Sequence, residues 1–549
     1  MNSTLHVHPD DNVLVALTDL KAGEEITFQG RVIRLKENIQ AKHKFSTHIL
    51  APGDPLTMYG VLVGKATQAI EEGAWIHTFN VKHAAAPVEV RETKPSWTAP
   101  SVAEFEGLTF DGFHRPDGKV GTANYWVVIP LVFCENRNVE ELRDALLTDL
   151  GYQSPSRFRP LTQYLIQSHA IQRVPSQSRD LPSPQDIAFT TSNRVFPQVD
   201  GIKFLTHDMG CGGTQDDAQA LCALLAGYIA HPNVAGATVL SLGCQHAQQK
   251  MLQSELDKRM TPGTKPVYIL EQQAFGTEEA LLTQALHQTF LGLLEANQST
   301  RKSAPLSELV VGLECGGSDG FSGLSANPAV GYAADLLVAL GGTVVLSEFP
   351  ELCGVEQELA DRCISASLAH RFTDLMARYA ARAEAVGSGF DMNPSPGNIR
   401  DGLITDAIKS AGAAKKGGTS PITGVLDYTE PIQTKGLQLL NTPGNDVEST
   451  TAEVASGATV VLFTTGLGTP TGNPIAPVIK VASNHALAKR MPDIIDISTG
   501  DIIEGTETIE AAGRRILKYV IEVASGRAIP AAVRLQQDDF IPWKRGVSL

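Results

Sequence analysis

The stretch Leu309-Val-Val-Gly-Leu-Glu-Cys315-Gly-Gly-Ser-Asp-Gly320 joins an apolar run to a glycine-rich turn that contains a cysteine. A short apolar run bounded by turn residues is typical of a strand buried in a parallel sheet. Three other segments have the same form, and they end at Cys134, Cys211 and Cys244. The carboxyl ends of the strands in an open α/β sheet share one edge, where ligands bind. We therefore expect the four thiols at an active-site edge.

Length and composition limit the class of protein. A chain of 549 residues predicts roughly three domains. Seven cysteines and an N-terminal segment without an apolar core predict reduced thiols in a cytoplasmic protein. The sequence has no apolar run near the roughly 18 residues that span a bilayer, so no membrane partner is expected. A formal charge of −15 without basic runs argues against nucleic acid as a partner.

The pattern of apolar residues changes along the chain. Short alternating strands and Gly-bearing turns predict a small all-β domain over residues 1–88. Residues 89–106 are rich in Pro, Ala, Thr, Ser and Glu, which predicts an exposed linker. Beyond it, strands alternate with helices in a second domain, 107–300, and a C-terminal domain, 301–549. This alternation predicts the α/β class with mainly parallel sheets.

Several turns after predicted strands combine glycine with short hydroxyl and amide side chains. Glycine lets the backbone approach a ligand closely, and exposed N–H groups can bind an anion. Hydroxyls and amides supply the donors and acceptors that a polyol requires. The alternative for each turn taken alone is an ordinary loop. The candidate substrate-binding residues are Ser318, Asn327, Asn398, Asn445, Asp446, Gly468 and Thr469.

The cysteines fall into two groups. Cys222, Cys353 and Cys363 lie on helical or irregular segments and are interpreted as small buried side chains. The four strand-end thiols are candidates for metal binding or nucleophilic attack. The sequence contains no Cys-x-x-Cys pair, which gives a structural zinc site little support.

Two polar clusters mark the N-terminal domain. His8 is followed by Asp10 and Asp11, and His43 is followed by Lys44. Imidazole and carboxylate groups at this density are candidates for metal ligation or proton transfer. The alternative is an exposed polar surface, since a small β domain exposes such residues freely.

The ordered motifs resemble the altronate/galactarate dehydratase family over nearly the whole chain. The N-terminal segments resemble the family's small SAF-type β domain, and the later ones resemble its two following domains. Pro443-Gly-Asn-Asp446 and the terminal Gly546-Val-Ser-Leu549 are more similar to the altronate branch. The motifs that carry the resemblance are His8-x-x-Asp11-Asn12-Val13, Lys42-His43-Lys44, Gly118-x-Val120-Gly121-x-x-Asn124, Gly210-Cys211, Leu242-Gly243-Cys244, Glu314-Cys315-Gly-Gly-Ser-Asp-Gly320, Ala326-Asn327-Pro328, Asn393-Pro-Ser-Pro-Gly-Asn398 and Gly466-x-Gly468-Thr469-Pro470.

The resemblance implies a hydro-lyase that uses iron(II) or manganese(II). The expected substrate is a sugar acid, most of all D-altronate, and the expected product is 2-keto-3-deoxy-D-gluconate. The proton beside a carboxylate is a poor acid, and a divalent cation offsets the charge that its removal creates. An iron–sulfur cluster on the strand-end thiols is the less favoured alternative. The residues implied are His43, Lys44, Cys315 and Asp319 for catalysis, and His8, Asp11 and His43 for the metal, with Cys134, Cys211, Cys244 and Cys315 as the alternative ligands.

The chain departs from the family pattern at five positions, among them places where the family carries Lys or Arg. The loss of cations near an anion site indicates an altered substrate, another aldonate or aldarate. Two further alternatives are a sulfo-lyase acting on a sulfolactate-like acid and a non-catalytic paralogue that binds sugar acids. The sequence leaves the oligomeric state open, a homo-oligomer included. The departures are at Ala123, Met209, Gln245, Ile399 and Leu467.

Overall fold

The computed structural model describes residues 3–92, 95–153, 156–173, 175–182 and 194–548. Its N-terminal part is built from short antiparallel strands in sheets of order β1-β2-β5-β8 and β6-β7-β9, with a separate hairpin β3-β4. Leu14, Ile33 and Phe45 are buried in its core. The strands are β1 (Thr4–Leu5), β2 (Val13–Ala16), β3 (Glu25–Phe28), β4 (Arg31–Arg34), β5 (Lys44–Ser46), β6 (Pro55–Met58), β7 (Val61–Ala66), β8 (Trp75–Ile76) and β9 (Val81–Lys82).

The second domain contains a parallel sheet of order β13-β12-β14-β15 and a small antiparallel sheet of order β11-β10-β16. Thr214 caps helix α3, since its side chain accepts a hydrogen bond from the backbone N–H of Asp217. The elements are β10 (Thr109–His114), β11 (Val120–Gly121), β12 (Tyr125–Pro130), α1 (Asn136–Asp149), α2 (Arg159–Ala170), β13 (Gly201–Phe204), α3 (Gln215–Ala230), β14 (Val234–Ser241), α4 (Gln249–Asp257), β15 (Val267–Glu271), α5 (Gln272–Phe275), α6 (Glu278–Ala296) and β16 (Lys302–Pro305).

The C-terminal domain is built on a seven-stranded parallel sheet of order β19-β20-β18-β17-β21-β22-β23. The chain runs from β17 outward to one side and then returns to place β21 on the other side. The elements are β17 (Val310–Cys315), α7 (Ala326–Ala339), β18 (Thr343–Leu346), α8 (Glu356–Arg362), α9 (Ala366–Ala385), α10 (Pro396–Arg400), α11 (Asp406–Ala414), β19 (Ile422–Leu426), β20 (Gly436–Leu440), α12 (Asp446–Ser456), β21 (Val460–Thr465), β22 (Val478–Ala482), α13 (His485–Arg490), β23 (Ile497–Ser498), α14 (Gly500–Glu504), α15 (Ile509–Ala524) and α16 (Ala531–Arg534).

The strand order of the large sheet reverses between β17 and β21. Open α/β sheets bind ligands in the crevice outside the carboxyl ends of the strands at such a reversal. The predicted fold class, an all-β N-terminal domain followed by α/β domains with mainly parallel sheets, is confirmed. Among the helices that the structure describes, none combines the length and apolar character needed to cross a bilayer.

The predicted linker is held more firmly than expected. The described part of residues 89–106 has no helix or strand. However, Phe105 is fully buried in the large apolar core, and the carboxylate of Glu104 lies 2.8 Å from Arg514 on α15. The segment therefore packs along the C-terminal domain instead of lying free in solvent.

Candidate functional site

A cleft of about 780 Å³ opens at the carboxyl ends of β17, β20 and β21, beside the reversal of strand order. The turn after β17 contributes Cys315, Gly316 and Gly317, and the segment after β18 contributes Glu351. Helices α9 and α11 and the C-terminal segment close the other walls. The other lining residues used below are Arg382, Asn393, Asn398, Lys409, Asn445, Asp446, Leu467, Lys544 and Arg545.

A thiol and two carboxylates meet at the base of this cleft. The Sγ of Cys315 lies 3.3 Å from Oε2 of Glu351, and the backbone N–H of Cys315 donates to Oε2 of Glu348 at 3.1 Å. One ligand atom from each of the three residues lies within 4.8 Å of the other two, and all three residues are buried. Carboxylates suit divalent cations such as manganese, and a thiolate adds a softer ligand that also binds zinc and iron. The donor set therefore fits a divalent cation.

Two buried lysines neutralise the carboxylates. Nζ of Lys409 lies 2.5 Å from Oε1 of Glu351, and Nζ of Lys416 lies 2.5 Å from Oε2 of Glu348. Burial alone would raise the pKa of Glu351, but Lys409 and Lys416 bring that pKa below its ordinary value. Burial, followed by the charge of Glu348, raises the pKa of Glu314 well above its ordinary value, and a side-chain hydrogen bond joins the carboxyl groups of Glu314 and Glu348.

A second layer of polar groups surrounds Glu348. Ser347 Oγ donates to Glu453 at 2.7 Å and lies 3.3 Å from Oε2 of Glu314. Burial, with the charge of Glu348 adding to it, raises the pKa of Glu453 to about 8. Glu348 has a φ of 62°, a left-handed conformation that is uncommon outside glycine and clusters at functional sites. Its backbone N–H donates to Thr442 Oγ1 at 2.8 Å.

The N-terminus of α12 forms another wall of the cleft. Asn445 caps the helix, because its Oδ1 accepts hydrogen bonds from the backbone of Val447 and Glu448. Asp446 follows it, and a Cβ on Gly316 would overlap the Asp446 carboxylate. Burial, followed by the charge of Glu348, raises the pKa of Asp446 to about 7. The glycine in the turn after β17 therefore makes room for an acidic side chain.

Four basic side chains line the cleft: Arg382, Lys409, Lys544 and Arg545. Guanidinium and ammonium groups bind carboxylates through charge-assisted hydrogen bonds. Three of these cations come from α9 and the C-terminal segment, where the sequence shows no motif that would single them out. The cleft is thus equipped for an anion.

The N-terminal residues predicted for the metal lie elsewhere. His43 accepts a hydrogen bond from the indole of Trp75 at Nδ1 and contacts the carbonyl of Arg400 through Nε2. Both ring nitrogens are therefore occupied. Asp11 accepts from the backbone of His8 and Gly60. The ligand groupings within the described chain do not combine His8, Asp11 and His43, so the geometry favours the Cys315 cluster instead.

Lys44 and Asp319 join domains instead of lining the cleft. Nζ of Lys44 donates to the carbonyls of Lys42 and Gly402, at 3.1 and 2.7 Å. Burial lowers the pKa of Lys44 to about 7, although Asp319 opposes the shift. Asp319 is fully buried and pairs with Lys42 at 3.0 Å. Lys42 also contacts Asp401 at 2.7 Å. These groups position the N-terminal domain against the loop after α10.

Some of the predicted substrate-binding residues line the cleft, and others do not. Asn398, Asn445 and Asp446 line the cleft. Asn327 is buried and bridges the backbone of Gly412 and the hydroxyl of Thr464, so it fixes helix packing. Three others do not belong to the cleft lining: Ser318, Gly468 and Thr469.

The four strand-end cysteines do not share one site. Cys134, Cys211 and Cys244 belong to the second domain and are exposed. Cys315 is buried in the C-terminal sheet beside Glu351. The expectation that all four thiols meet is therefore corrected, since they follow strands of two different sheets.

Sequence reasoning missed the partners of Cys315. Glu348 and Glu351 lie shortly after the end of β18. Charged residues that soon after an apolar strand indicate a candidate site residue, and the sequence does show this pattern. Lys409 and Lys416 lie on and just after α11, and nothing in their neighbourhood marks them. Only the packing of α11 against the sheet brings these lysines to the carboxylates.

Three family models match successive parts of the chain. The altronate/galactarate dehydratase SAF domain matches residues 2–84. The second domain of D-galactarate dehydratase/altronate hydrolase matches residues 112–297. The C-terminal domain of D-galactarate/altronate dehydratase matches residues 306–548.

The chain belongs to the altronate/galactarate dehydratase family. The altronate dehydratase of Bacillus subtilis is 33% identical over 555 residues, covering 100% of both chains. The altronate dehydratase of Escherichia coli is 30% identical over 95% of each chain. The galactarate dehydratase (L-threo-forming) of Escherichia coli is 32% identical over 95% of this chain and 93% of its own.

Of the five positions expected to depart from the pattern of the altronate/galactarate dehydratase family, most lie outside the cleft lining. Leu467 lines the cleft. Gln245 is buried and donates to Ser241 Oγ at 2.6 Å, and Met209 and Ala123 are buried in the second domain. The cations that the sequence appeared to lack are supplied by other elements, so these departures do not leave the cleft without positive charge.

Proposed function

We propose that the protein is a divalent-metal-dependent hydro-lyase that dehydrates a sugar acid, with D-altronate as the first candidate and 2-keto-3-deoxy-D-gluconate as the product. The observation that carries the proposal is the cluster of Cys315, Glu348 and Glu351 at the base of a cleft lined by four cations. Family membership and relatives named altronate dehydratase support the reaction class. The seven free thiols agree with the proposed cytoplasmic location.

Cys315, Glu348 and Glu351 are the proposed ligands of iron(II) or manganese(II). The bound cation would offset the negative charge that builds on the substrate carboxylate when its neighbouring proton is removed. Lys409 and Lys416 hold the two carboxylates in place through contacts of 2.5 Å. The thiol of Cys315, whose pKa burial raises well above its ordinary value, must lose its proton to bind the cation.

The rest of the cleft binds and orients the substrate. We assign Arg382, Lys544 and Arg545 to the substrate carboxylate, because Arg and Lys form charge-assisted hydrogen bonds with it. The amide of Asn398 is engaged with Ser395 and Ser318, so we assign the Nδ2 donor of Asn445, at the N-terminus of α12, to a hydroxyl of the polyol. Hydrogen-bonding groups at fixed positions discriminate between sugar stereoisomers, because the wrong isomer leaves some of these groups unpaired.

Asp446 is the proposed proton carrier. Its carboxyl lines the cleft at the N-terminus of α12 and lies next to the turn that bears Cys315. It is placed to move a proton at the reacting carbon or at the departing hydroxyl. Lys44, which does not line the cleft, is assigned a positioning role instead.

The variant Glu351→Gln tests the proposal. Glutamine keeps the size of the side chain but removes a charged ligand and the partner of Lys409. We expect metal content and D-altronate turnover to fall together, turnover by about 100-fold or more. Measurement pairs elemental analysis of the metal with anaerobic product assays.

Asp501→Asn is the matched control. His485, Asp501 and Glu504 form another grouping of metal-type ligands, but it is partly exposed and lies away from the cleft. This variant should keep both metal and turnover. Wild-type turnover in Glu351→Gln, with metal intact, would remove the cluster from the reaction.

A further inference from the structure

Three thiols of the second domain follow neighbouring parallel strands. β12 lies between β13 and β14 in the sheet. Cys134 follows β12, Cys211 follows β13 and Cys244 follows β14. Because parallel strands end at a common edge, the three loops that carry the cysteines lie side by side.

Backbone hydrogen bonds tie these loops together. Phe133 N–H donates to the carbonyl of Met209 at 3.0 Å, which joins the first loop to the second. Ala247 N–H donates to the carbonyl of Gly210 at 3.0 Å, which joins the second loop to the third. A side chain on Gly210 would collide with the backbone of the first loop. The loops therefore hold the thiols in a fixed arrangement.

The thiols are accessible and close enough to influence one another. All three are free and exposed. Burial raises the pKa of Cys134, and the charges of Cys211 and Cys244 add to the shift. Gln273 also donates to Sγ of Cys244 at 3.3 Å. An exposed cluster of three cysteines has no role in packing a core.

The spacing of the thiols argues against a single tetrahedral ion. Groups of ligand atoms that lie within 4.8 Å of one another occur at three places in the described chain, and Cys134, Cys211 and Cys244 form none of them. Four ligands around one tetrahedral ion must lie closer than that, since a zinc–sulfur bond is only about 2.3 Å. A cubane iron–sulfur cluster binds its thiolates at separate irons and so spans a wider set.

We propose that Cys134, Cys211 and Cys244 bind an iron–sulfur cluster through three thiolates, with one iron left for a ligand other than cysteine. Each thiol loses its proton and replaces one exchangeable terminal ligand of an iron, and the released ligand leaves with that proton. The cluster arrives with its irons and sulfides already assembled, so the thiols are neither oxidised nor reduced. These three thiols follow strands of a different sheet from the one that bears Cys315, and the proposal does not depend on the proposed function.

The test is transfer of a synthetic iron–sulfur cubane with exchangeable thiolate ligands to the full-length protein under argon. We expect bound iron and sulfide in equal amounts, about four of each per chain, and the broad visible absorption of iron–thiolate charge transfer. Single variants Cys134→Ser, Cys211→Ser and Cys244→Ser should each lose most of that absorption. Circular dichroism checks that the variants remain folded.

Two controls separate this site from the other thiols. Cys222→Ala removes a buried thiol of α3, and Cys315→Ser removes the thiol of the cleft. Both should keep the cluster absorption. The proposal is overturned if wild-type protein takes up no sulfide, if the triple serine variant binds as much iron and sulfide as wild type, or if Cys315→Ser alone abolishes the signal.

Discussion

The environment of a single ammonium group decides what that group can do. Lys44 and Lys416 are both about 1% exposed. Lys416 contacts Glu348 at 2.5 Å, and nearby anionic groups raise its pKa well above the ordinary value despite burial. Lys44 contacts only backbone carbonyls, and burial lowers its pKa to about 7. Lys416 is therefore a permanent cation beside Glu348, and Lys44 titrates near neutrality.

The depressed pKa of Lys44 predicts a pH-dependent stability. At a pH between the folded and the unfolded pKa, Lys44 is protonated in the unfolded chain and neutral in the folded protein. Raising the pH removes the free-energy cost of losing that proton on folding, so the folded protein becomes more stable. The free energy of unfolding of wild type relative to Lys44→Met should therefore increase by about 2 kcal/mol between about pH 7.5 and about pH 9.5. Denaturant unfolding of both proteins across this range measures it.

Lys65→Met is the control for this experiment, because Lys65 is an exposed lysine of β7 in the same domain. Its difference from wild type should stay constant with pH. If the free energy of unfolding of wild type relative to Lys44→Met also stays constant with pH, Lys44 is charged in the folded protein.

At the scale of elements, the strand ends were predictable and their partners were not. The apolar run before Cys315 predicts β17. The Asn327-Pro328 pair indicates a helix at α7, but the helix begins one residue earlier and Asn327 does not cap it. Asn445 and Asp446 were singled out because their turn combines glycine with polar side chains. Nothing local indicates that Lys409 meets Glu351, 58 residues earlier in the chain. Such contacts depend on how helices pack, which a sequence pattern does not contain.

The same reason explains why the contacts of His43 were not predicted. A histidine beside a lysine has the composition of a site, yet the indole of Trp75, 32 residues away, occupies one nitrogen of His43. A polar pattern shows which groups are available. It does not show which of them are already satisfied by a distant partner.

The turn after β17 yields a prediction of its own. Gly316→Ala places a methyl group against the Asp446 carboxylate and the ring of Phe463. We expect D-altronate turnover to fall at least about tenfold, because small displacements of catalytic groups are costly. Anaerobic assays at saturating metal measure it.

Gly201→Ala is the comparison, since a Cβ at that strand position meets only ordinary contacts. It should retain turnover. Full activity in Gly316→Ala would show that the position of Asp446 is unimportant for the reaction.

In the whole molecule, ion pairs join the N-terminal domain to the C-terminal domain. Lys42 bridges Asp319 at 3.0 Å and Asp401 at 2.7 Å. Apolar residues of both domains also share one core, among them Val63 and Ile408. Since Asp319 follows the same turn as Cys315, docking of the small domain and the shape of the cleft are coupled.

Lys42→Met tests this coupling. It leaves the fully buried Asp319 without its cation, and breaking a buried pair costs about 3 kcal/mol. We expect a lower midpoint of thermal unfolding and faster amide exchange around Asp319 and Asp401. Lys36→Met, which removes an exposed pair with Glu71, should change the midpoint little. Equal midpoints for the two variants would contradict the coupling.

The most direct test of the account is D-altronate turnover by anaerobically prepared protein loaded with iron(II) or manganese(II). We predict that 2-keto-3-deoxy-D-gluconate forms, that formation stops when a chelator removes the metal, and that it returns when the metal is restored. Elemental analysis checks that the chelator has removed the metal. If turnover is then unchanged, the result contradicts the proposed metal cluster. Binding of D-altronate and galactarate without product from either would contradict the assignment as a dehydratase and favour a sugar-acid binding protein.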